Sequence, residues 1–199
     1  LGAFLLYQNI LYFLMNMRKD IMSWTKESFV AFDLSLTSTG WATHEGTGTI
    51  QSKLKDVGRL DDISIQVLKI LLSAKSPVVA LEGYAFAKRS SHAHAQGELG
   101  GVIRLQLYKT NIPYVEIPPT NRAKFATGKG NANKAEVVSH ISAKTGIIWS
   151  GSGADDECDA WVLREMLLAK FGFSEYDWSA DSMSALDKID WSRLPCVKE

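Results

Sequence analysis

Four carboxylates in three sequence contexts carry the chemistry this chain could perform. Asp33 closes the apolar run Ser28-Phe29-Val30-Ala31-Phe32, Glu82 closes Pro77-Val78-Val79-Ala80-Leu81, and Asp156 and Asp159 stand near the start of the stretch 155–170. Hard divalent cations such as Mg²⁺ take oxygen ligands, keep several waters and use few carboxylates each. Two such ions about 3.5–4 Å apart can activate an attacking water and stabilise the leaving oxygen of a phosphodiester. Such a pair needs one acid that reaches both ions, and Asp33 is the candidate. If the fold gathers the three places, they form a site for phosphodiester chemistry.

The elements that must position these acids follow from local pattern. Both apolar runs are β-prone and continuous rather than alternating, as in strands covered on both faces. Each ends in an acid, and α/β sheets carry their sites at such strand ends. After Asp33 the polar stretch Ser35-Leu36-Thr37-Ser38-Thr39-Gly40 reads as a tight turn. From Asp155 to Lys170, Ala160, Leu163, Met166 and Leu167 recur at helical spacing, preceded by turn residues 150–153. On that helix Asp156 and Asp159 share one face in the first turn, where the helix dipole favours negative charge. Capping alone accounts for many first-turn acids, and turn formation for many strand-end ones. The tandem Asp155-Asp156 leaves the register of the helical pair open, and the three-residue spacing to Asp159 favours Asp156.

Charge is distributed unevenly. The chain balances 22 Lys+Arg against 22 Asp+Glu, so its total charge selects no partner. Between Tyr84 and Lys134, however, eight basic residues (Lys88, Arg89, Arg104, Lys109, Arg122, Lys124, Lys129, Lys134) meet two acids, Glu98 and Glu116. That basic segment suits a polyanion, with phosphate contacts giving salt-dependent affinity. Phe86, four residues beyond Glu82, is placed to stack on an opened base, and Lys88 or Arg89 to hold phosphate. Tyr114 to Ile117 reads as a strand ended by Pro118-Pro119. Gly128 and Gly130 then break regular structure around Lys129, and a helix begins near Asn133 with Lys134 in its first turn. Amides at such a helix start can meet phosphate.

The blocks Phe29-Val30-Ala31-Phe32-Asp33-Leu34-Ser35-Leu36-Thr37-Ser38-Thr39-Gly40-Trp41-Ala42, Val79-Ala80-Leu81-Glu82-Gly83-Tyr84, Lys124 to Lys134 and Asp155-Asp156-Glu157-Cys158-Asp159-Ala160 resemble the RuvC-type Holliday junction resolvases, especially phage-encoded ones. The resemblance runs from about Ser28 to Lys170. It implies an α/β, ribonuclease H-like fold, with a mixed central β-sheet flanked by helices on both faces. It implies a homodimer that cuts two strands of a four-way DNA junction symmetrically. Asp33, Glu82, Asp156 and Asp159 fall at the family's metal-binding acids, and Lys134 at a lysine near the scissile phosphate. The implied reaction is in-line attack by water with two Mg²⁺, or Mn²⁺, per site, and the DNA contacts expected are Phe86, Lys88, Arg89, Arg122, Lys124, Lys129 and Lys134.

Other readings are weaker. Asp33 to Gly40 also resembles the first phosphate loop of actin-like and sugar-kinase-type phosphotransferases, but no second glycine-rich phosphate segment follows. A catalytically inactive DNA-binding relative is the third class, and the intact acids argue against it. His92 and His94 have no cysteine pair with which to bind zinc. Two cysteines, Cys158 and Cys196, fit a reducing cytosol. Residues 1–27 are expected to lie outside the nuclease domain (28–170), being short for a membrane span and unlike a signal peptide. Residues 171–199 are expected to pack back on the domain as an extension.

Overall fold

In the computed structural model, residues 8–12, 24–83 and 91–194 are described, 91–95 by backbone alone. The expected Phe86, Lys88 and Arg89 contacts lie outside the described residues. The elements are β1 (Phe29–Asp33), β2 (Thr39–Ala42), β3 (Thr47–Ile50), α1 (Asp56–Leu71), β4 (Val78–Glu82), α2 (Ser91–Lys109), β5 (Tyr114–Ile117), α3 (Pro119–Thr127), α4 (Lys134–Thr145), α5 (Ala154–Lys170) and the short α6 (Ala180–Met183).

The five strands form one mixed sheet in the order β3-β2-β1-β4-β5. β1, β4 and β5 run parallel, while β2 and β3 pair antiparallel at the other edge. The continuous apolar runs are explained by two cores. Phe29, Ala31, Val78 and Ala80 face one core with Phe125, Ile141, Leu163 and Met166, whereas Val30, Phe32, Val79 and Leu81 face another with Ile63, Leu68, Leu99 and Ile103. Successive strand residues point to opposite faces, so β1 and β4 serve both cores and must be apolar throughout.

The chain on either side of 28–170 joins these cores. Trp24 packs edge-on against Phe29 and Phe171, and Ile10 is buried in the second core. Beyond Lys170, Trp178, Ala185, Leu186, Ile189 and Leu194 are all buried in the first core. The Trp178 indole N–H donates to Glu165 Oε1 at 3.0 Å. Fully burying a large apolar side chain contributes roughly 1.5–3 kcal/mol, so this segment's contribution is comparable with the net stability of about 5–15 kcal/mol typical of a domain. Removal of residues 173–199 is therefore expected to abolish cooperative folding, which loss of the sigmoidal thermal transition by circular dichroism would report.

Candidate metal and phosphodiester site

Parallel pairing of β1 with β4 sets Phe32 beside Leu81, so the next residues, Asp33 and Glu82, end adjacent strands side by side. β2 places Gly40 opposite Asp33, and here α5 arrives. A Cβ on Gly40 would lie 2.0 Å from the Asp156 carbonyl oxygen. Only a residue without a side chain lets the first turn of α5 approach the sheet so closely. Gly153, with φ at +92°, turns the chain into α5 at a place where a Cβ would meet Thr49 at 2.7 Å. The Thr47 hydroxyl then donates to Glu157 Oε2 at 2.9 Å, tying α5 to β3. Sheet and helix thus bring all three acidic places together.

The acids are not equally placed. Asp33 and Asp159 are buried, Asp159 almost completely at 1% exposure. The Asp156 side chain is 16% exposed and that of Asp155 46%. Burial, then the charges of Glu82 and Asp159, hold the Asp33 carboxyl well above the ordinary carboxylate range, and Arg122 only partly offsets them. Burial is also the main influence on Asp159. Arg122 opposes it, Glu82 reinforces it, and the carboxyl is pushed up to about 7. Asp159 Oδ2 is buried with no hydrogen-bond partner.

Two cations stand among these acids. Lys134, one residue after the helix cap Asn133, donates from Nζ to Asp155 Oδ2 at 2.8 Å and Asp156 Oδ1 at 3.0 Å, and lies 3.8 Å from Asp159 Oδ2. Burial works to lower its pKa, but the hydrogen bonds to Asp155 and Asp156 prevail and raise it. The bond from Lys134 holds Asp155 below the usual range. Asn133 accepts from the Glu136 N–H while Glu136 Oε2 accepts from the Asn133 N–H, so the start of α4 that carries Lys134 is firmly capped.

The second cation corrects a sequence expectation. Arg122, expected on the DNA-facing surface, is buried at 7% exposure. Its Nε donates to Glu82 Oε1 at 2.5 Å and its NH1 to Asp159 Oδ1. Counting charges along the chain does not show that this one lies on the inward face of α3. Arg104 is likewise engaged, by Glu116 at 3.2 Å. Part of the basic excess between residues 84 and 134 is therefore spent inside the protein, while Lys129 is exposed and Lys124 half-buried. With both cations in place, no three acidic, histidine or cysteine side chains among the described residues already stand in metal-ligating geometry.

The family model for crossover junction endodeoxyribonuclease RuvC matches residues 38–160. Glu82, Lys134, Asp156 and Asp159 lie inside the match, and Asp33 lies five residues before it. A protein of that name from Sorangium cellulosum is 28% identical over 116 residues, covering 58% of this chain and 64% of the relative. One from Carboxydothermus hydrogenoformans is 30% identical over 114 residues, covering 57% and 72%. The chain thus spans slightly less than two thirds of the first of these relatives. Among solved structures, Thermus thermophilus RuvC aligns with a TM-score of 0.56 at 18% identity, covering 74% of this chain and 99% of that one. The same protein in complex with Holliday junction substrate aligns at 0.55 and 16%, covering 75% and 99%. At these identities the likeness establishes the fold, a ribonuclease H-like one.

The raised Asp159 carboxyl has a consequence for stability. Its ordinary value is 3.8 and its folded one about 7, so between those limits the folded state binds more protons than the unfolded. Stability must then fall as pH rises through this window. In EDTA, the parent is expected to lose stability on the order of a few kcal/mol between about pH 4 and pH 8 through this group. Asp159→Asn should flatten that decline, as measured by urea unfolding across the pH range.

Proposed function

Since the chain belongs to the crossover junction endodeoxyribonuclease RuvC family, we propose that it hydrolyses phosphodiester bonds in four-way or other branched DNA with two divalent metal ions. The observation that carries this reading is the convergence of three separately encoded acidic places around one buried carboxylate oxygen without a hydrogen-bond partner, Asp159 Oδ2. An unpaired buried oxygen is costly, and hard oxygen donors suit Mg²⁺, or Mn²⁺ in its place. Asp33, Glu82, Asp156 and Asp159 would hold the ions. Asp156 is preferred to its more exposed neighbour Asp155. When bound, the ions supply Lewis acidity for activating water and neutralising charge on the phosphate.

The remaining work falls to the chain's own groups. The Lys134 ammonium is half exposed at the rim of the acids, where it can donate to a non-bridging phosphate oxygen and favour the charge that develops there. Lys124 and Lys129 precede it on α3 and the following loop and extend a basic path for the DNA backbone. The burial of Asp33 and Asp159 keeps bulk water from these carboxylates. The Thermus thermophilus complex with Holliday junction substrate supports a four-way junction as the preferred substrate. No helix among the described residues is long and apolar enough to cross a membrane, and a cytoplasmic setting accords with the bacterial relatives.

A homodimer completes the proposal. On the outward face of α2, Gly101, Leu105 and Tyr108 recur at helical spacing. Leu105 is 50% exposed and Tyr108 77%, and a Cβ on Gly101 would meet nothing within 4 Å. A second copy related by a two-fold axis could lay its own Leu105 and Tyr108 against the small-residue end of this face. Two copies would present two sites to the two strands of a junction.

Labelled four-way junction, incubated with purified protein and Mg²⁺, is expected to be cut at paired positions near the branch point. Asp33→Asn should reduce the rate by at least about a hundredfold, a plausible loss for an acid central to metal catalysis. Undiminished cleavage by Asp33→Asn would remove the site assignment, and failure of the parent to cut any branched DNA would favour the inactive DNA-binding relative. Tyr108→Glu is expected to shift the sedimentation coefficient from dimer to monomer and to uncouple the two cuts.

A further inference from the structure

Among the described basic residues of the central segment, Arg122 is the buried one, and the proposed reaction gives it no part. Its side chain is 8% exposed, less than the 17% of Glu82, so it offers no phosphate contact. Its partners come from two different elements: Glu82 ends β4, and Asp159 lies in α5. The guanidinium is planar with N–H groups in fixed directions, so donating to both fixes one carboxylate relative to the other. It takes one oxygen from each, Glu82 Oε1 and Asp159 Oδ1, while Asp159 Oδ2 is left buried without a hydrogen bond, 3.8 Å from Lys134 Nζ.

The element that carries Arg122 is itself anchored. Ala123, Phe125 and Ala126 of α3 are buried in the first core, and Asn121 Nδ2 donates to the Ala185 carbonyl at 2.7 Å. Ala185 thus braces the helix from which the guanidinium projects. We propose that Arg122 is a positioning residue for the metal site: it holds Glu82 and Asp159 by one oxygen each so that their other oxygens are presented to a divalent ion. This rests on reading those two acids as metal ligands. A permanent positive charge beside the site also repels an incoming ion, so removing it has two opposed effects. Orientation decides the sign, because without Arg122 two buried carboxylates are free to rotate and separate.

Binding of Mn²⁺, followed by loss of the free-ion electron paramagnetic resonance signal, tests this in the 199-residue chain. Arg122→Gln is expected to weaken binding roughly 10–100-fold, the usual effect of losing a group that orients a metal ligand. The Mg²⁺ concentration for half-maximal junction cleavage should rise in the same proportion, with the rate at saturating Mg²⁺ largely recovered. Arg122→Lys keeps the charge but cannot bridge both carboxylates. It should fold with an unfolding midpoint near the parent's and still bind Mn²⁺ more weakly, which decides the matter if Arg122→Gln does not fold. Equal or tighter Mn²⁺ binding in a folded variant would overturn the inference and leave Arg122 a counter-charge alone. If the parent itself binds no Mn²⁺, the metal reading falls and this one with it. Binding by the parent that the variants match removes this inference only.

Discussion

Gathering Asp33, Glu82 and Asp159 at the edge of an apolar core is electrostatically unfavourable, because each loses hydration and each opposes ionisation of its neighbours. The raised Asp33 and Asp159 carboxyls are the direct mark of that conflict. Among the described residues, relief comes from charge brought in: Arg122 from within and Lys134 from the rim. Divalent ions would extend the same compensation.

Accommodating this cluster shapes the scaffold around it. The strands that end in Asp33 and Glu82 are buried on both faces, which leaves their termini little freedom to splay apart under repulsion. α5 must come within van der Waals reach of β2 to deliver Asp156 and Asp159, and the absence of a side chain at Gly40 is what permits it. The C-terminal segment, lying outside the residues matched by the family model, braces α3 through Asn121 and Ala185. A segment outside that match thereby contributes to the order of the site.

Local sequence announced some of these features and concealed others. β1, β4 and β5 were legible because continuous β-prone runs halted by an acid or by proline have few alternatives. α5 was legible from apolar spacing, and the start of α4 from the break at Gly128 and Gly130 that precedes it. The hairpin of β2 and β3 was not: Thr39–Ala42 and Thr47–Ile50 are four-residue strands with mixed side chains, and their stability comes from pairing with β1. α3 was also missed, although Pro119 in its first turn and Gly128 just past its end are the usual marks of a helix's limits. With α3 unseen, Arg122 was read as one more surface charge.

Residue type and order determined, without any fold, that this chain holds carboxylates at the ends of two strands and the start of one helix, oxygen donors of the kind hard cations take, together with a basic segment suited to a polyanion. Those properties reside in individual side chains and their near neighbours along the chain. Tertiary structure alone decided which charges face which. Whether Arg122 meets phosphate or Glu82, and which acids of α5 meet Lys134, depends on contacts between residues 21 to 40 positions apart. Burial and proximity of that kind are set by packing of whole elements, which no local pattern encodes.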